Sequence, residues 1–287
     1  MKKIFSGLAT ALYTPFTNNK IDYPVLSEMI DEQIDAGVDA IVLLGTTGES
    51  PTITEIERKQ VIKYAVSAVR KRIPLIIGCG TNDTAKTVRH VKQAKDLGAD
   101  CALCVTPYYN KPTQDGIIKH YEKISVCDFP ILLYNVPSRT GVNTEVETII
   151  EISKFENICG IKEASKDLIH IENLFEKLKG KLPIYCGNDD LIGLFLECGA
   201  SGAISVTSNI IPYKFKEYIT NFKNYYDIDF LEKINSFLSL ETNPIIIKTM
   251  AEILGKKGTE LRLPLTKATI GSYKIIKEFF KAEGLVK

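Results

Sequence analysis

The sequence predicts an α/β protein, a (β/α)8 TIM barrel followed by a small all-helical C-terminal appendage. Two observations predict it. Eight short β-rich runs, at 8–16, 40–45, 74–80, 101–107, 130–136, 158–164, 183–187 and 202–206, are nearly continuous in apolar residues, as strands covered on both faces must be. Longer segments with helical spacing separate them, and such alternation specifies a parallel sheet. Eight units in about 206 residues suit a closed barrel better than a doubly wound sheet, which carries fewer strands.

The first run follows two lysines and mimics the start of a signal peptide. Ser6, Gly7, Thr10 and Thr14 interrupt its apolar stretch and Pro15 ends it, so it reads as a strand. Farther along, Ile56, Val61, Ile62, Ala65, Val66 and Val69 make one helical stripe with Glu57, Lys59, Lys63 and Lys71 mostly opposite. Thr54 three residues before Glu57, Thr84, and Thr144 three before Glu147 read as helix starts. Gly37, Gly98 and Gly199 follow helical stretches, where a left-handed residue closes a helix. From Asn209 onward only helical patterns remain, punctuated by Asn243-Pro244 and Pro264. The expected division is a catalytic barrel over 1–225 and a helical region over 226–287.

Composition narrows the function. The 287 residues are 45% hydrophobic and 25% charged, and 36 Lys plus Arg balance 35 Asp plus Glu for a net charge of +1. Nucleic acid and anionic lipid both demand a clustered basic excess, so neither is an expected partner. No apolar run approaches the ~18 residues of a membrane span. Seven scattered cysteines suggest no disulfide framework, and a reducing cytoplasm is the expected location.

In a TIM barrel, chemistry belongs at the carboxyl ends of the strands. The sixth run places Lys162 in an otherwise small, apolar strand, where a charge is costly unless compensated. Alternation sets it on one face with Gly160 and Ala164, leaving room for a ligand if that face is the interior. An apolar site disfavours an ammonium and favours a nucleophilic amine able to form a Schiff base with a ketone. The competing reading is a lysine paired with Glu163 or snorkelling at the strand end. Near the end of the fifth run stands Tyr134, a candidate proton shuttle, and Arg139 in the next loop can grip a carboxylate with its fork. The turn Gly45-Thr46-Thr47-Gly48 offers backbone N–H groups and hydroxyls to a small anion but lacks the spacing of a nucleotide loop. Tyr108 and Tyr109 lie between prolines, suited to a subunit contact as readily as to a catalytic site, with packing the commoner fate for at least one.

Other features weigh less. Cys101 and Cys104 lie three apart on one strand and face opposite ways, which disfavours a redox pair or zinc half-site. His90, His120 and His170 fall in separate helices without metal-binding spacing. Asn188-Asp189-Asp190 reads as a helix cap.

The motifs GTTGES at 45–50, VTPYYNKP at 105–112, YNVPSRTG at 134–141, GIKEAS at 160–165 and GAISVTSN at 202–209 occur in this order. Together they resemble the dihydrodipicolinate synthase family of Schiff-base-forming lyases, over a stretch from about Gly7 to the C-terminus. The resemblance implies condensation of pyruvate with L-aspartate 4-semialdehyde to 4-hydroxy-tetrahydrodipicolinate, on the diaminopimelate route to lysine, with no metal or organic cofactor. It implies Lys162 as the Schiff-base lysine, and Tyr134, Thr46 and Tyr109 as a proton relay in which Tyr109 reaches a neighbouring subunit. It implies further that Thr46 and Thr47 cradle the pyruvate carboxylate, that Arg139 takes the semialdehyde carboxylate, and that Gly187 and Ile204 line the pocket. A homo-oligomer follows, usually a tetramer built as a dimer of dimers.

One departure concerns lysine feedback. Ser50, Asn82 and Tyr108 match the inhibitor site of some members, but Pro51, Glu55, Arg58 and Lys86 replace an alanine, two histidines and a glutamate. Like charge at Lys86 opposes an incoming ammonium, so feedback inhibition is expected to be weak or absent. The alternatives are a related pyruvate aldolase acting on sialic acid or keto-deoxy sugar acids, a catalytically silent barrel, and, remotely, a redox protein built on Cys101 and Cys104.

Overall fold

The computed structural model describes residues 3–287. Eight parallel strands close a barrel: β1 (Gly7–Ala11), β2 (Ala40–Leu43), β3 (Leu75–Gly78), β4 (Cys101–Val105), β5 (Ile131–Asn135), β6 (Ile158–Glu163), β7 (Ile184–Cys186) and β8 (Gly202–Ser205). Seven of the expected runs contain their strands, trimmed by a residue or more where backbone leaves the ladder for a loop, and the first strand begins one residue before its run, at Gly7. Eight helices of the surrounding layer follow in turn: α1 (Tyr23–Asp35), α2 (Glu55–Val69), α3 (Thr84–Asp96), α4 (Gln114–Ser125), α5 (Val146–Ile152), α6 (Leu168–Leu178), α7 (Ile192–Cys198) and α8 (Pro212–Asn221). Then come α9 (Ile228–Phe237), α10 (Ile245–Ile253) and α11 (Ile270–Ala282), the C-terminal helices anticipated from Asn209 onward. Among the described residues, no helix is long and apolar enough to cross a membrane.

Closure depends on glycine where β1 meets β8. Gly7 pairs with Gly202, and a Cβ on Gly202 would lie 1.9 Å from the Gly7 carbonyl oxygen, so no larger residue fits the seam. Inside, side chains that alternate along the strands fill the lower barrel. Ala9, Ala40, Ile76, Cys101, Leu132 and Tyr185 pack there, and Phe5 stacks on Tyr185 at 4.2 Å and plugs the base. The opposite faces of the strands, carrying Leu8, Ile41, Leu75, Ala102, Leu133 and Ile161, join the helices in a second continuous core. Pairing between β5 and β6 shifts by one: Ile131 faces Ile158, but Leu132 faces Gly160, leaving Cys159 as an extra residue.

Several local expectations change. The 8–16 run is not one strand: β1 ends at Ala11, and after Leu12 N donates to the Val42 carbonyl at 2.9 Å the next amide, Tyr13 N, turns to Asn209 Oδ1 at 3.1 Å instead of the ladder. Phe16 instead starts a two-residue hairpin with Lys20–Ile21 and donates to the Gly258 carbonyl at 3.0 Å. Thr54 and Glu57 do form a reciprocal capping box. Thr84, however, is the first helical residue after the true cap, Asp83, whose carboxylate accepts from Ala85 N at 2.8 Å. Thr144 does not cap α5, since its hydroxyl is engaged with that of Thr106 at 2.9 Å. Gly37, Gly98 and Gly199 all take positive φ after their helices.

The C-terminal region grips the barrel through Arg262. Its guanidinium donates to Glu57 Oε2 at 2.9 Å and to the Thr52 carbonyl at 2.9 Å, and it lies 4.3 Å from the Phe16 ring centre. The Arg262 hydrogen bond, foremost, pulls the Glu57 carboxyl down to about 2, against its partial burial. A depressed carboxyl stabilises the fold above the ordinary range near 4.5 and loses that contribution as pH falls toward 2. Glu57→Gln is therefore expected to lower unfolding stability by about 1 kcal/mol at neutral pH, a partly exposed pair being worth little more. In urea titrations the gap from wild type should narrow steadily below about pH 5; a gap independent of pH would refute this account.

Candidate active site

Lys162 lies one residue before the end of β6, 5% exposed, and faces the barrel interior. Across the ladder its partner is Tyr134 of β5, and the Lys162 Nζ stands 4.6 Å from the centre of that ring. Small neighbours make the space. Ala164 packs into the interior cluster, and Gly187 after β7 has no Cβ, which would sit 2.9 Å from Lys162 Cε and 2.8 Å from Ala164 Cβ.

The reading that paired Lys162 with Glu163 is overturned. Adjacent strand residues point to opposite faces, so Glu163 leaves the barrel. Its carboxylate, fully buried, accepts from Asn135 Nδ2 at 3.0 Å, Ser165 N at 2.6 Å and His170 Nε2 at 3.3 Å. Thr144 N donates to Asn135 Oδ1, so the Asn135 amide donates in turn to Asn143 Oδ1, and Asn143 Nδ2 faces His170 Nδ1 at 3.2 Å. That chain makes His170 Nδ1 an acceptor and its Nε2–H the donor to Glu163. Among the described residues, no carboxylate forms an ion pair with Lys162.

Above the amine opens a cavity of about 960 Å³ lined by Thr46, Thr47, Tyr134, Arg139, Lys162 and Gly187, six of the eight residues singled out from the sequence. The Thr46–Thr47 turn follows β2, and Thr47, 3% exposed, accepts a hydrogen bond at Oγ1 from Asn243 Nδ2 at 3.0 Å. The Asn243 carbonyl in turn accepts from the Arg139 guanidinium at 3.0 Å. Asn243 thus joins the two groups suited to carboxylates. Sequence reasoning missed it, registering Asn243-Pro244 only as a break between helices, because the contact spans 196 residues.

The other two residues fall elsewhere. Ile204 packs in the barrel interior cluster with Tyr134 and Ala164. Tyr109 is 89% exposed with φ of +72°, outside the cavity. Tyr108, beside it, is half-buried in a second cavity of about 470 Å³ that shares Thr46, Tyr134 and Arg139 with the first. Asn188-Asp189-Asp190 makes no side-chain cap on its own turn. Asp189 instead accepts from Val206 N at 2.9 Å and Thr207 N at 2.6 Å, and Asn188 donates to the Ser165 carbonyl at 3.1 Å, stapling three loops at the carboxyl-end rim. Cys101 and Cys104 do face opposite sides, and Cys101 Sγ lies 3.7 Å from Cys159 Sγ, a contact that spacing could not reveal.

The family model for the dihydrodipicolinate synthetase family matches residues 4–283. The chain belongs to that family. It is 40% identical, over 99% of its length and 98% of the other's, to a 4-hydroxy-tetrahydrodipicolinate synthase of Thermoanaerobacter. Its fold matches the crystal structure of dihydrodipicolinate synthase from Thermotoga maritima with TM-score 0.93 and 39% identity, covering 99% of this chain and all of that one. The enzyme of the same name from Aquifex aeolicus matches with TM-score 0.94 and 39% identity, over 98% and 99% of the two chains.

Within this member of the dihydrodipicolinate synthetase family, the second cavity is crowded with cations. Arg58, 3% exposed, donates to the Gly78 carbonyl at 2.8 Å and to Cys79 Sγ at 3.3 Å. Glu55 is bound by His90 Nε2 at 3.1 Å and Lys86 Nζ at 3.3 Å. Burial works against its charge, but those two partners outweigh it and hold its carboxyl below the ordinary range.

Gly187 carries the tightest steric condition at Lys162. Gly187→Ala is expected to fold, at an overpacking cost of ~1–3 kcal/mol, and to lose roughly 100-fold in kcat/KM by displacing the amine. A thermal melt alongside steady-state rates checks this, and near-normal turnover would refute it.

Proposed function

We propose that this chain condenses pyruvate with L-aspartate 4-semialdehyde, and that Lys162 carries the reaction as a Schiff base. The observation behind the proposal is a buried amine on the barrel interior, with no acid paired to it among the described residues, opening on a cavity that also holds a phenol, a hydroxyl turn and a guanidinium. The amine adds to the ketone carbon of pyruvate and water leaves, giving a protonated imine. That imine draws electrons from the methyl group, which loses a proton and becomes a nucleophilic enamine. Attack on the aldehyde carbon forms the new C–C bond. The amino group of the former semialdehyde then displaces the lysine and closes the six-membered ring. The iminium is itself the electron sink, so the chemistry calls for no metal or organic cofactor.

The other residues take roles suited to their positions. Thr46 and Thr47 receive the pyruvate carboxylate through the N–H groups and hydroxyls of their turn. Tyr134 and Thr46, shared between the two cavities, pass protons to and from the reacting centre. Arg139, in the wall of the same cavity, receives the semialdehyde carboxylate, the anion its fork fits. Gly187 and Ile204 shape the pocket. Tyr109, exposed at its loop tip, completes the relay from a second copy, which makes the working unit an oligomer, a tetramer arranged as a dimer of dimers. The enzyme works in the cytoplasm.

Borohydride reduction in the presence of pyruvate is expected to add one pyruvyl mass to the intact chain, mapped to Lys162, and none to Lys162→Ala. Turnover should follow with aspartate semialdehyde and be negligible with sialic or keto-deoxy sugar acids. Absence of the adduct, or preference for sugar acids, sinks the assignment. L-Lysine is expected to inhibit weakly or not at all, because an ammonium entering the second cavity meets Arg58 and Lys86 while Glu55 is already engaged. Initial rates against added lysine test this, and half-inhibition at submillimolar lysine would contradict it.

A further inference from the structure

Glu49 and Lys248 form a buried ion pair that belongs to neither wall of the Lys162 cavity, yet one member sits two residues from Thr47. Both side chains are 1% exposed. The two carboxylate oxygens are separately held: Oε1 by Lys248 Nζ at 2.6 Å and Oε2 by the Arg262 N–H at 3.0 Å. Lys248 Nζ also donates to the Glu260 carbonyl at 2.6 Å and stands 4.4 Å from the Phe16 ring centre. Glu49 takes φ of +54°, a left-handed conformation that its side-chain anchor must hold. Its N–H donates to the Thr46 carbonyl at 3.1 Å, so the carboxylate anchor and the turn are mechanically one piece.

A second tie comes from the same short stretch of chain. Asn243, which grips Thr47 Oγ1, lies five residues before Lys248, and the Lys248 N–H donates to the Pro244 carbonyl at 3.1 Å in the first turn of α10. The two ends of the turn are therefore pinned by one helix start from outside the barrel. We infer that the Glu49–Lys248 pair is a positioning device for the anion-binding turn, setting the direction of its N–H groups and hydroxyls and hence the affinity for the carboxylate of the keto acid. This rests on the reading of Thr46–Thr47 as the pyruvate cradle. A buried pair of this kind adds little net stability, but loss of one partner leaves an uncompensated charge that the turn must move to relieve. Burial pulls the Lys248 ammonium down to about 8, against the attraction of Glu49.

Lys248→Met and Glu49→Gln are the test, measured by steady-state kinetics at saturating aspartate semialdehyde and by borohydride-trapped pyruvyl adduct at saturating pyruvate. The expected result is KM for pyruvate raised about tenfold, the factor set by 1.4 kcal/mol of lost binding, with kcat within about twofold and full adduct at saturation. An unchanged KM for pyruvate with a lowered kcat and adduct yield means the pair merely supports the fold, and overturns the inference. So does failure of both variants to fold. Should the wild type itself give no adduct, the reading of the cradle falls first; adduct in the wild type with normal KM in the variants sinks this inference alone.

Discussion

The site depends on keeping one primary amine inside a barrel with no acid, among the described residues, to neutralise it. Buried lysines are normally paired, and this chain shows the usual solution at Lys248, which meets Glu49 and a carbonyl. Lys162 has a cavity where a partner would be, a tyrosine ring beside it, and glycine and alanine on the flanks. The layers below are filled by Leu132, Tyr185 and Phe5, and the cavity opens at the carboxyl end. The barrel supplies a closed wall of backbone hydrogen bonds around the amine, and the loops supply polar groups facing it.

Much of this was legible in local pattern. The apolar runs located all eight strands because a parallel barrel buries both faces of each one, and the lysine stood out because strands of this kind contain almost no charge. The turn after β2, the tyrosine near the end of β5 and the arginine beyond it were readable because strand-end position alone places them on one rim. What local pattern could not settle was the partner of each group. Whether Lys162 met Glu163 depended on which way each residue faced, and Glu163 turned out to belong to a buried network with Asn135, Asn143 and His170.

The least legible part was the contribution of the C-terminal region. Its sequence shows helical stripes and two proline-containing breaks, as a passive appendage would. In the fold it sends Asn243 to Thr47, Lys248 to Glu49 and Arg262 to Glu57, contacts separated by 196, 199 and 205 residues. No periodicity marks residues chosen for a distant partner. The same limit hid the Asp189 bridge to the loop after β8, which had looked like a cap because Asp before a helical turn is the commonest sign of one.

The irregularity at Cys159 decides which way the strand carrying Lys162 presents itself. Were Ile158 opposite Ile131 followed by uninterrupted pairing, Lys162 would sit across from Asn135, and its amine would be aimed at the helix layer, where Glu163 now lies. One additional residue switches the face presented by everything beyond it, so the extra residue in β6, more than the identity of any single neighbour, makes its only cation an inhabitant of the lumen. Deletions and insertions upstream of Gly160 should thus be far less tolerated than substitutions there, since parity cannot be repaired by repacking.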